Sequence, residues 1–437
     1  AGGQRYPTVN KEIESKVKRG CLVFNFTGHG NPLRLTSEIV VDKSEVDKWE
    51  NKYELPVFVT AGCQIGRFDD KNRKSLGEEI LLSNHGGGIA LFTTTRSVFA
   101  SANLTLNSYF FDYMFAVQDN KPPFLGEIAR NAKNKATSDL INKYYFTLLG
   151  DPALRIAMPM YKVITDSVNG VSINDAIDTL KALSTVTIQG HIADELGNPV
   201  NSYNGTIQSV VLDKPQTVRT LSNDGFGSVI FKVQNNILFS GKANVQNGKF
   251  QFKFIVPRDI FYYYGKGRIS YYADNGEHDG AGSSEQITVG GSTDNVLTGK
   301  TGPVLKLYLN DTTFVDGGVT NQSPLLIASV SDEYGINVSG TSVGHDATAL
   351  FDGMSSEQVV LNHFYEANQN SYQKGMFKYP ISTLSEGNHS VMVKVWNVNN
   401  QKTEATLDFV VETSASMALN HVLNYPNPFT TNTTFFF

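Results

Sequence analysis

Two residues of this chain have the types that covalent acyl-transfer chemistry requires, and they occupy corresponding places in the sequence. His29 follows the apolar run "CLVFNFTG" and lies between Gly28 and Gly30. Cys63 directly follows a similar run, "LPVFVTAG". A thiol with an ordinary pKa of ~8.5 is mostly protonated at neutral pH, and a nearby imidazole can accept its proton or pair with the thiolate. The pair therefore predicts Cys63 as a nucleophile and His29 as its general base.

The glycines beside these residues fit the same chemistry. Gly28 and Gly30 let the backbone turn tightly and leave room for a substrate to approach. The backbone N–H groups of Gly30 and Cys63 could both point at a developing oxyanion, which is often a large catalytic contribution. We therefore predict that these two N–H groups form an oxyanion hole, and that His29 later gives its proton to the departing amine.

The elements that must position this pair belong to a predicted α/β domain over residues 1–158. The runs "CLVFNFTG", "LPVFVTAG" and "GGIALFTTT" are typical of strands covered on both faces in a parallel sheet. The segments 43–53, 75–84, 101–117 and 125–145 are predicted helices, which gives right-handed crossovers. Parallel strands place their chemistry at their carboxyl ends. If the first two strands are neighbours, His29 and Cys63 face each other across that edge.

Other side chains near these motifs allow more than one interpretation. Asp69 and Asp70 could line the substrate cleft or bind a cation, although a solvated loop is the simpler explanation. Arg96 could border the cleft and contact a substrate carboxylate, or form a structural salt bridge. Cys21 could form a disulfide with Cys63, but two cysteines are no disulfide framework. No cluster has zinc-like spacing, so we expect no cofactor; calcium binding stays an open alternative without sequence support.

After about residue 158 the helical patterns give way to alternating β-branched and aromatic runs, such as "STVTIQGHIAD" and "GKFQFKFIVP". Turn residues punctuate them at short intervals, a pattern typical of antiparallel β-sandwiches. A Gly/Ser/Thr-rich break at 290–303 divides this region. We predict β-sandwich domains over 159–291 and 292–413, followed by a linker and the start of a further domain over 414–437.

Length, charge and hydropathy exclude several classes of protein. The chain has 437 residues, a formal net charge of -5 and no long Lys/Arg run, so nucleic acid is not an expected partner. No apolar run approaches the ~18 residues of a membrane-spanning helix. The first residues lack the pattern of a signal peptide. We expect the chain to be a fragment of a longer protein.

Several motifs together resemble the gingipain family of cysteine peptidases. "NFTGHGN" and "VTAGCQIGRFD" are similar to its His and Cys motifs, and "YFTLLGDPALRIAMP" resembles the segment that closes its catalytic domain. "LNYPNPF" resembles the start of the sorting domain found on type IX secretion cargo. The resemblance implies a caspase-like fold with His29 as general base and Cys63 as nucleophile. It also implies two immunoglobulin-like domains that follow the catalytic domain in the chain. It also implies an acidic residue orienting His29, located upstream of this chain.

Within that family, the resemblance implies a sortase of the type IX secretion system. Such an enzyme removes the sorting domain of its cargo through a thioester and transfers the cargo to lipopolysaccharide. The implied partners are cargo proteins, the lipopolysaccharide acceptor and the outer-membrane β-barrel PorV, at the cell surface of Gram-negative Bacteroidetes.

Two alternatives remain open from the residues. The same dyad would serve a secreted endopeptidase of general specificity. The second alternative is a non-catalytic surface assembly or adhesion protein, although the presence of both His29 and Cys63 favours an enzyme.

Overall fold

The computed structural model describes residues 6–116, 121–137, 140–175, 177, 179–222, 225, 227–294, 297–340, 344–354, 358–381, 384–412, 423–425 and 434–436. The chain divides into two compact units, Ala1–Met158 and Pro159–Phe437. The division falls where the helical patterns of the sequence end. Among the described residues, no helix is long and apolar enough to cross a membrane.

The first unit alternates helices and strands. Its helices are α1 Pro7–Lys18, α2 Lys43–Val46, α3 Leu76–Leu82, α4 Ala100–Met114, α5 Leu125–Lys135 and α6 Leu140–Tyr145. Its strands are β1 Val23–Thr27, β2 Gly30–Asn31, β3 Arg34–Leu35, β4 Val41–Asp42, β5 Val57–Ala61, β6 Ala90–Thr94 and β7 Phe146–Leu149.

The main sheet of this unit has the order β1-β5-β6-β7. β1, β5 and β6 are parallel neighbours, as the sequence predicts. Every residue of β5 and β6 is buried, which explains why their sequences are continuous apolar runs. The predicted parallel sheet is wrong in one respect: it contains a further strand, β7, which pairs antiparallel with β6. The chain between β6 and β7 contains α4, α5 and α6 and re-enters the sheet at the edge where β6 ends, so the sheet is mixed.

The helices differ from their predicted lengths. The segment 125–145 is not one helix, because α5 ends at Lys135 and Ala136 has an extended conformation. The segment predicted over 43–53 is helical only over α2. α3 begins as predicted, with Ser75 and Glu78 forming a reciprocal capping box.

Two apolar clusters form the core of the first unit. One contains Phe92, Phe110 and Phe146, with the Phe92 and Phe110 rings stacked 4.5 Å apart. The other contains Trp49 and Phe58, whose rings stack at 5.9 Å. Phe58 and Phe92 lie on the adjacent strands β5 and β6 but belong to different clusters, so the sheet is covered on both faces.

The second unit contains strands and one short 3-10 turn, Asn362–Phe364, among its described residues. Its strands are β8 Tyr161–Val168, β9 Val171–Ser172, β10 Leu180–Ala182, β11 Thr185–Ala193, β12 Gly205–Leu212, β13 Gln216–Arg219, β14 Ile230–Val233, β15 Ile237–Gln246, β16 Lys249–Ile255, β17 Gly265–Lys266, β18 Arg268–Asp274, β19 Asp279–Ser284, β20 Thr288–Ser292, β21 Val304–Leu309, β22 Val319–Thr320, β23 Leu325–Ser331, β24 Ile336–Asn337, β25 Thr348–Phe351, β26 Gln358–Val360, β27 Tyr365–Ala367, β28 Lys374–Pro380, β29 Gly387–Asn397, β30 Lys402–Val411, β31 Leu423–Tyr425 and β32 Thr434–Phe436.

Most of these strands pair antiparallel, as the alternating sequence predicts. A single bridge between Gly241 and Ala367 joins β15 to β27, which belong to the two predicted β-rich segments. One continuous apolar cluster contains residues of both segments. Most of the predicted segment 414–437 lies outside the described residues.

Candidate active site

The register of the sheet brings the two predicted catalytic residues to the same edge. β1 and β5 pair in parallel from Val23 with Val57 to Thr27 with Ala61, always 34 positions apart. His29 and Cys63 have the same separation, so each lies two residues beyond the last pair of its strand. Parallel strands end at a common edge, which is where ligands bind in open α/β sheets.

Two glycines allow the backbones to come this close beyond the strands. The Gly28 N–H donates a hydrogen bond to the Ala61 carbonyl at 3.3 Å. A Cβ atom on Gly62 would lie 2.8 Å from the Gly28 carbonyl oxygen, closer than real Cβ atoms approach. The glycine before Cys63 is therefore required by the close approach of the two chains.

The buried side chain of Ile65 joins the two segments. A Cβ atom on Gly30 would lie 3.0 Å from Ile65 Cγ1, and one on Gly62 would lie 2.8 Å from Ile65 Cδ1. Ile65 is fully buried. Its side chain thus packs against both the residue after His29 and the residue before Cys63, which holds the two turns together.

Cys63 begins a tight turn that is fastened to the end of β6. Gln64 has a positive φ of +59°, a left-handed conformation that non-glycine residues rarely adopt. The Gln64 N–H donates to the Arg96 carbonyl at 3.1 Å, and the Gly66 N–H donates to the Thr94 carbonyl at 2.8 Å. These bonds hold a backbone conformation that costs roughly 1–2 kcal/mol. A left-handed residue directly after a candidate nucleophile is the kind of outlier that clusters at functional sites.

The Cys63 thiol is free and half-buried. Its Sγ lies 3.7 Å from the Val98 carbonyl oxygen, the distance of a weak thiol hydrogen bond. The predicted alternative of a disulfide with Cys21 is wrong, because both cysteines are free. Cys21 precedes β1 whereas Cys63 follows β5, so they lie toward opposite ends of two parallel strands. Burial raises the pKa of the Cys21 thiol.

His29 lies at the start of a hairpin and is exposed. Its carbonyl accepts a hydrogen bond from the Thr36 N–H at 2.9 Å. In an antiparallel pair, hydrogen-bonded and non-hydrogen-bonded positions alternate, so the next pair, Gly30 with Leu35, is non-hydrogen-bonded. The Gly30 N–H consequently points away from the hairpin. Among the described residues the Cys63 N–H has no acceptor either.

A layer of polar groups beneath this edge was not predicted from the sequence. The Thr94 hydroxyl donates a hydrogen bond to the Gly62 carbonyl. The Thr60 and Thr93 hydroxyls bond at 2.7 Å, and Asn103 Nδ2 donates to the Ala61 carbonyl at 3.3 Å. All four of these side chains are buried. The signal that could have found the threonines is their occurrence inside the apolar runs "VFVTAG" and "ALFTTT".

The structure pairs Asp69 with Arg96. The guanidinium donates two hydrogen bonds to the carboxylate, at 3.1 and 2.5 Å. This contact holds the pKa of Asp69 below its ordinary value. Asp70 lies 3.5 Å from the Arg73 guanidinium. Arg96 is thus already paired with a carboxylate, as the salt-bridge interpretation expects, and the same residue accepts the hydrogen bond from Gln64.

No group of three or more His, Cys, Asp or Glu residues in the described part of the chain could hold a metal ion. The chemistry available at this edge is that of a thiol, an imidazole and two backbone N–H groups.

The model of peptidase family C25 matches residues 1–157. This stretch, which is the first unit, therefore belongs to that family of cysteine peptidases, and the predicted relation to the gingipain family is confirmed. No curated protein matches the chain significantly.

Among solved structures, the chain is similar to the dimeric latent PorU from Porphyromonas gingivalis, at 30% sequence identity and a TM-score of 0.37. The match covers 79% of this chain and 33% of PorU, so the chain spans about a third of that protein's length. It is also similar to the Arg-specific cysteine proteinase gingipain R, at 17% identity and a TM-score of 0.33, covering 66% of this chain and 57% of that one.

A third similar structure is the complex of the pro- and mature domains of RgpB from Porphyromonas gingivalis. Its sequence identity is 16% and its TM-score 0.33, with coverage of 64% of this chain and 58% of that chain.

Proposed function

We propose that the chain carries the catalytic dyad of a cysteine peptidase, with Cys63 as nucleophile and His29 as general base. The observation that supports the proposal is the constant register of β1 and β5, which brings the ends of both strands to one edge of the sheet. His29 and Cys63 each follow a glycine, two residues beyond the end of their strand. Membership of residues 1–157 in peptidase family C25 supports the reaction class.

The reaction follows from these groups. His29 takes the thiol proton, and the Cys63 thiolate attacks the carbonyl carbon of a peptide bond. The resulting oxyanion accepts hydrogen bonds from the N–H groups of Gly30 and Cys63. When the carbon–nitrogen bond breaks, the proton passes from His29 to the departing amine and a thioester remains. An incoming water or amine then loses a proton to His29 and displaces the thiolate. Every group used in these steps belongs to the chain, to the substrate or to the incoming water or amine.

We further propose that the peptide bond belongs to a type IX secretion cargo, just before its sorting domain, and that the acceptor is an amine on lipopolysaccharide. The support is the resemblance of the chain to PorU, a sortase of that system, in its His, Cys and domain-closing motifs. By the same resemblance the protein acts at the bacterial cell surface, held at the outer membrane by PorV. The segments 159–291 and 292–413 would then be immunoglobulin-like sandwiches.

The test compares the full-length protein with its Cys63→Ala and Cys21→Ala variants. Each is incubated with a cargo protein carrying its sorting domain, with and without lipopolysaccharide, and the products are weighed by mass spectrometry. Cys21→Ala is the matched control, because it removes a thiol at the other end of the sheet. We expect cleavage at one junction, transfer to lipopolysaccharide, and loss of both in Cys63→Ala alone.

The other outcomes separate the alternatives. Cleavage at many sites, giving only free carboxylates, would identify a general endopeptidase that uses the same dyad. Equal products from all three proteins would refute the proposed nucleophile and favour a non-catalytic surface protein.

A further inference from the structure

An open cleft of about 590 Å³ lies on the solvent-facing side of the largest sheet in the second unit. Five of its nine lining residues carry amide side chains, and the other four are Asp166, Gly190, Lys249 and Phe250. The five amides are Gln189, Asn244, Gln246, Gln251 and Asn370. The cleft is remote in sequence from the residues of the proposed dyad and has no part in that proposal.

The strands explain how these side chains come together. β8, β11, β16 and β15 are successive neighbours in the sheet, and alternate residues of each strand face the solvent. The register between β8 and β11 shifts between Gln189 and Gly190. Such an irregularity bends a strand, and we attribute the concavity of the sheet face to it.

A turn from later in the chain forms one wall of the cleft. The Asn370 N–H donates to the Lys242 carbonyl at 2.8 Å. In return, the Asn244 N–H donates to Asn370 Oδ1 at 2.8 Å. Asn370 also has a positive φ of +56°, which asparagine tolerates better than most residues. The wall is therefore fixed to the backbone of β15 by two hydrogen bonds, one of which is accepted by the Asn370 side chain.

Hydrogen bonds between the side chains fix the direction in which the amides point. The Ser167 hydroxyl donates to Gln189 Oε1 at 2.9 Å, and Gln189 Nε2 donates to Gln251 Oε1 at 2.8 Å. The chain of bonds ends at the Gln251 amide nitrogen, which has no acceptor among the described residues. With its Oδ1 bound to Asn244, Asn370 likewise presents its amide nitrogen. Both groups are donors available to a ligand.

The charges of the cleft balance each other. Lys249 contributes one ammonium group and Asp166 one carboxylate, of which one oxygen is 2.7 Å from His191 Nδ1. A phosphate-rich ligand would require a surplus of cations, and a wholly apolar ligand would leave the amides and the two charged groups without partners. Amides and a carboxylate offer donors and acceptors side by side. Hydroxyl groups, which both donate and accept, are the matching chemistry.

We propose that this cleft binds a neutral oligosaccharide, whose hydroxyl groups pair with the amides of Gln251 and Asn370 and with the Asp166 carboxylate. The proposal concerns the second unit alone, so its test does not depend on whether the first unit has peptidase activity.

The test uses the whole chain and an array of neutral gluco-, manno-, galacto- and xylo-oligosaccharides. The affinity of the strongest binder is then measured by saturation-transfer NMR for the unmodified chain and for two variants that lack the amide, Gln251→Met and Asn370→Gly. Methionine keeps the length of the glutamine side chain, and glycine adopts the positive φ of Asn370. Thermal unfolding of each variant is measured alongside, so that a loss of binding is distinguished from a loss of folding. Lys253→Ala is the control, since Lys253 is exposed two residues along β16 but does not line the cleft.

We expect each cleft variant to weaken binding about tenfold, because a ligand hydroxyl loses its amide partner. The Lys253→Ala control should bind like the unmodified chain. Absence of binding to every neutral oligosaccharide would overturn the proposal, and so would unchanged affinity in the folded Gln251→Met/Asn370→Gly double variant.

Discussion

Replacing Gly62 by alanine should separate the two strand ends that carry His29 and Cys63. The added Cβ would lie 2.8 Å from both the Gly28 carbonyl oxygen and Ile65 Cδ1. Gly62 does not have a positive φ, so alanine is compatible with its backbone conformation. The whole effect of the substitution must therefore arise from crowding.

The size of the effect follows from the distances. A carbon normally approaches a carbonyl oxygen no closer than about 3.3 Å, so the backbones must move apart by about 0.5 Å. Overpacking of this kind costs about 1–3 kcal/mol, because the rigid neighbours cannot rearrange freely. With a denaturant slope of about 2 kcal/mol/M, the urea midpoint should fall by about 1 M. The same displacement should reduce the reactivity of Cys63 about tenfold, since catalytic pairs are sensitive to misplacement on this scale.

Both effects can be measured without a substrate. Unfolding of the first unit is followed through Trp49 fluorescence in a Trp396→Phe background, because Trp49 is fully buried in that unit. Thiol reactivity is the rate of iodoacetamide alkylation at pH 7 in a Cys21→Ala background. If His29 activates Cys63, the rate should fall toward that of an unperturbed thiol with a pKa of ~8.5.

Gly28→Ala is the matched control. A Cβ on Gly28 would approach only the end of the Phe26 ring, at 3.1 Å, and a side chain can rotate away where a backbone cannot. We expect a smaller loss of stability. Equal urea midpoints for the two variants, or an unchanged alkylation rate in Gly62→Ala, would refute the argument that this glycine sets the geometry of the pair.

Two further predictions concern a hydrogen bond beneath the site and a histidine in the second unit. Thr94→Val should leave the Gly62 carbonyl without its side-chain donor and lower the free energy of unfolding by about 1 kcal/mol; an unchanged urea midpoint would contradict this. Burial opposes charging of His389, but hydrogen bonds to the Asp352 carboxylate and the Ser385 carbonyl outweigh it and raise the pKa of His389. This stabilisation should be complete below the unfolded pKa of ~6.5 and be lost as pH rises through the higher folded value; NMR titration of the ring should show a lower pKa in Asp352→Asn.

The class of each region could be predicted from the sequence because local periodicity reflects local burial. The continuous apolar runs predicted strands covered on both faces, which is confirmed at β5 and β6 and wrong at β1, where no residue is buried. The alternation after residue 158 predicted half-exposed strands. His29 and Cys63 could be selected as candidates for the same reason, since each follows such a run and lies beside glycine. Resemblance then supplied the peptidase family.

Pairing between distant segments could not be predicted in this way. The antiparallel direction of β7 depends on where the chain that follows β6 re-enters the sheet, which no local pattern records. The buried hydrogen bonds of Thr94 and Asn103 join residues that are more than thirty positions apart in the sequence. Threonine and asparagine are common residue types, so nothing in the local sequence indicates these contacts.

The sequence by itself determined the succession of an α/β unit and a β-rich unit, and the two residues with the chemistry of an acyl-transfer dyad. Only the tertiary structure decided that β1 and β5 are neighbours in a register of 34 residues, with Ile65 packed against the glycines of both turns. The physical reason is that burial is encoded residue by residue, whereas register depends on the combined packing of both faces of the sheet.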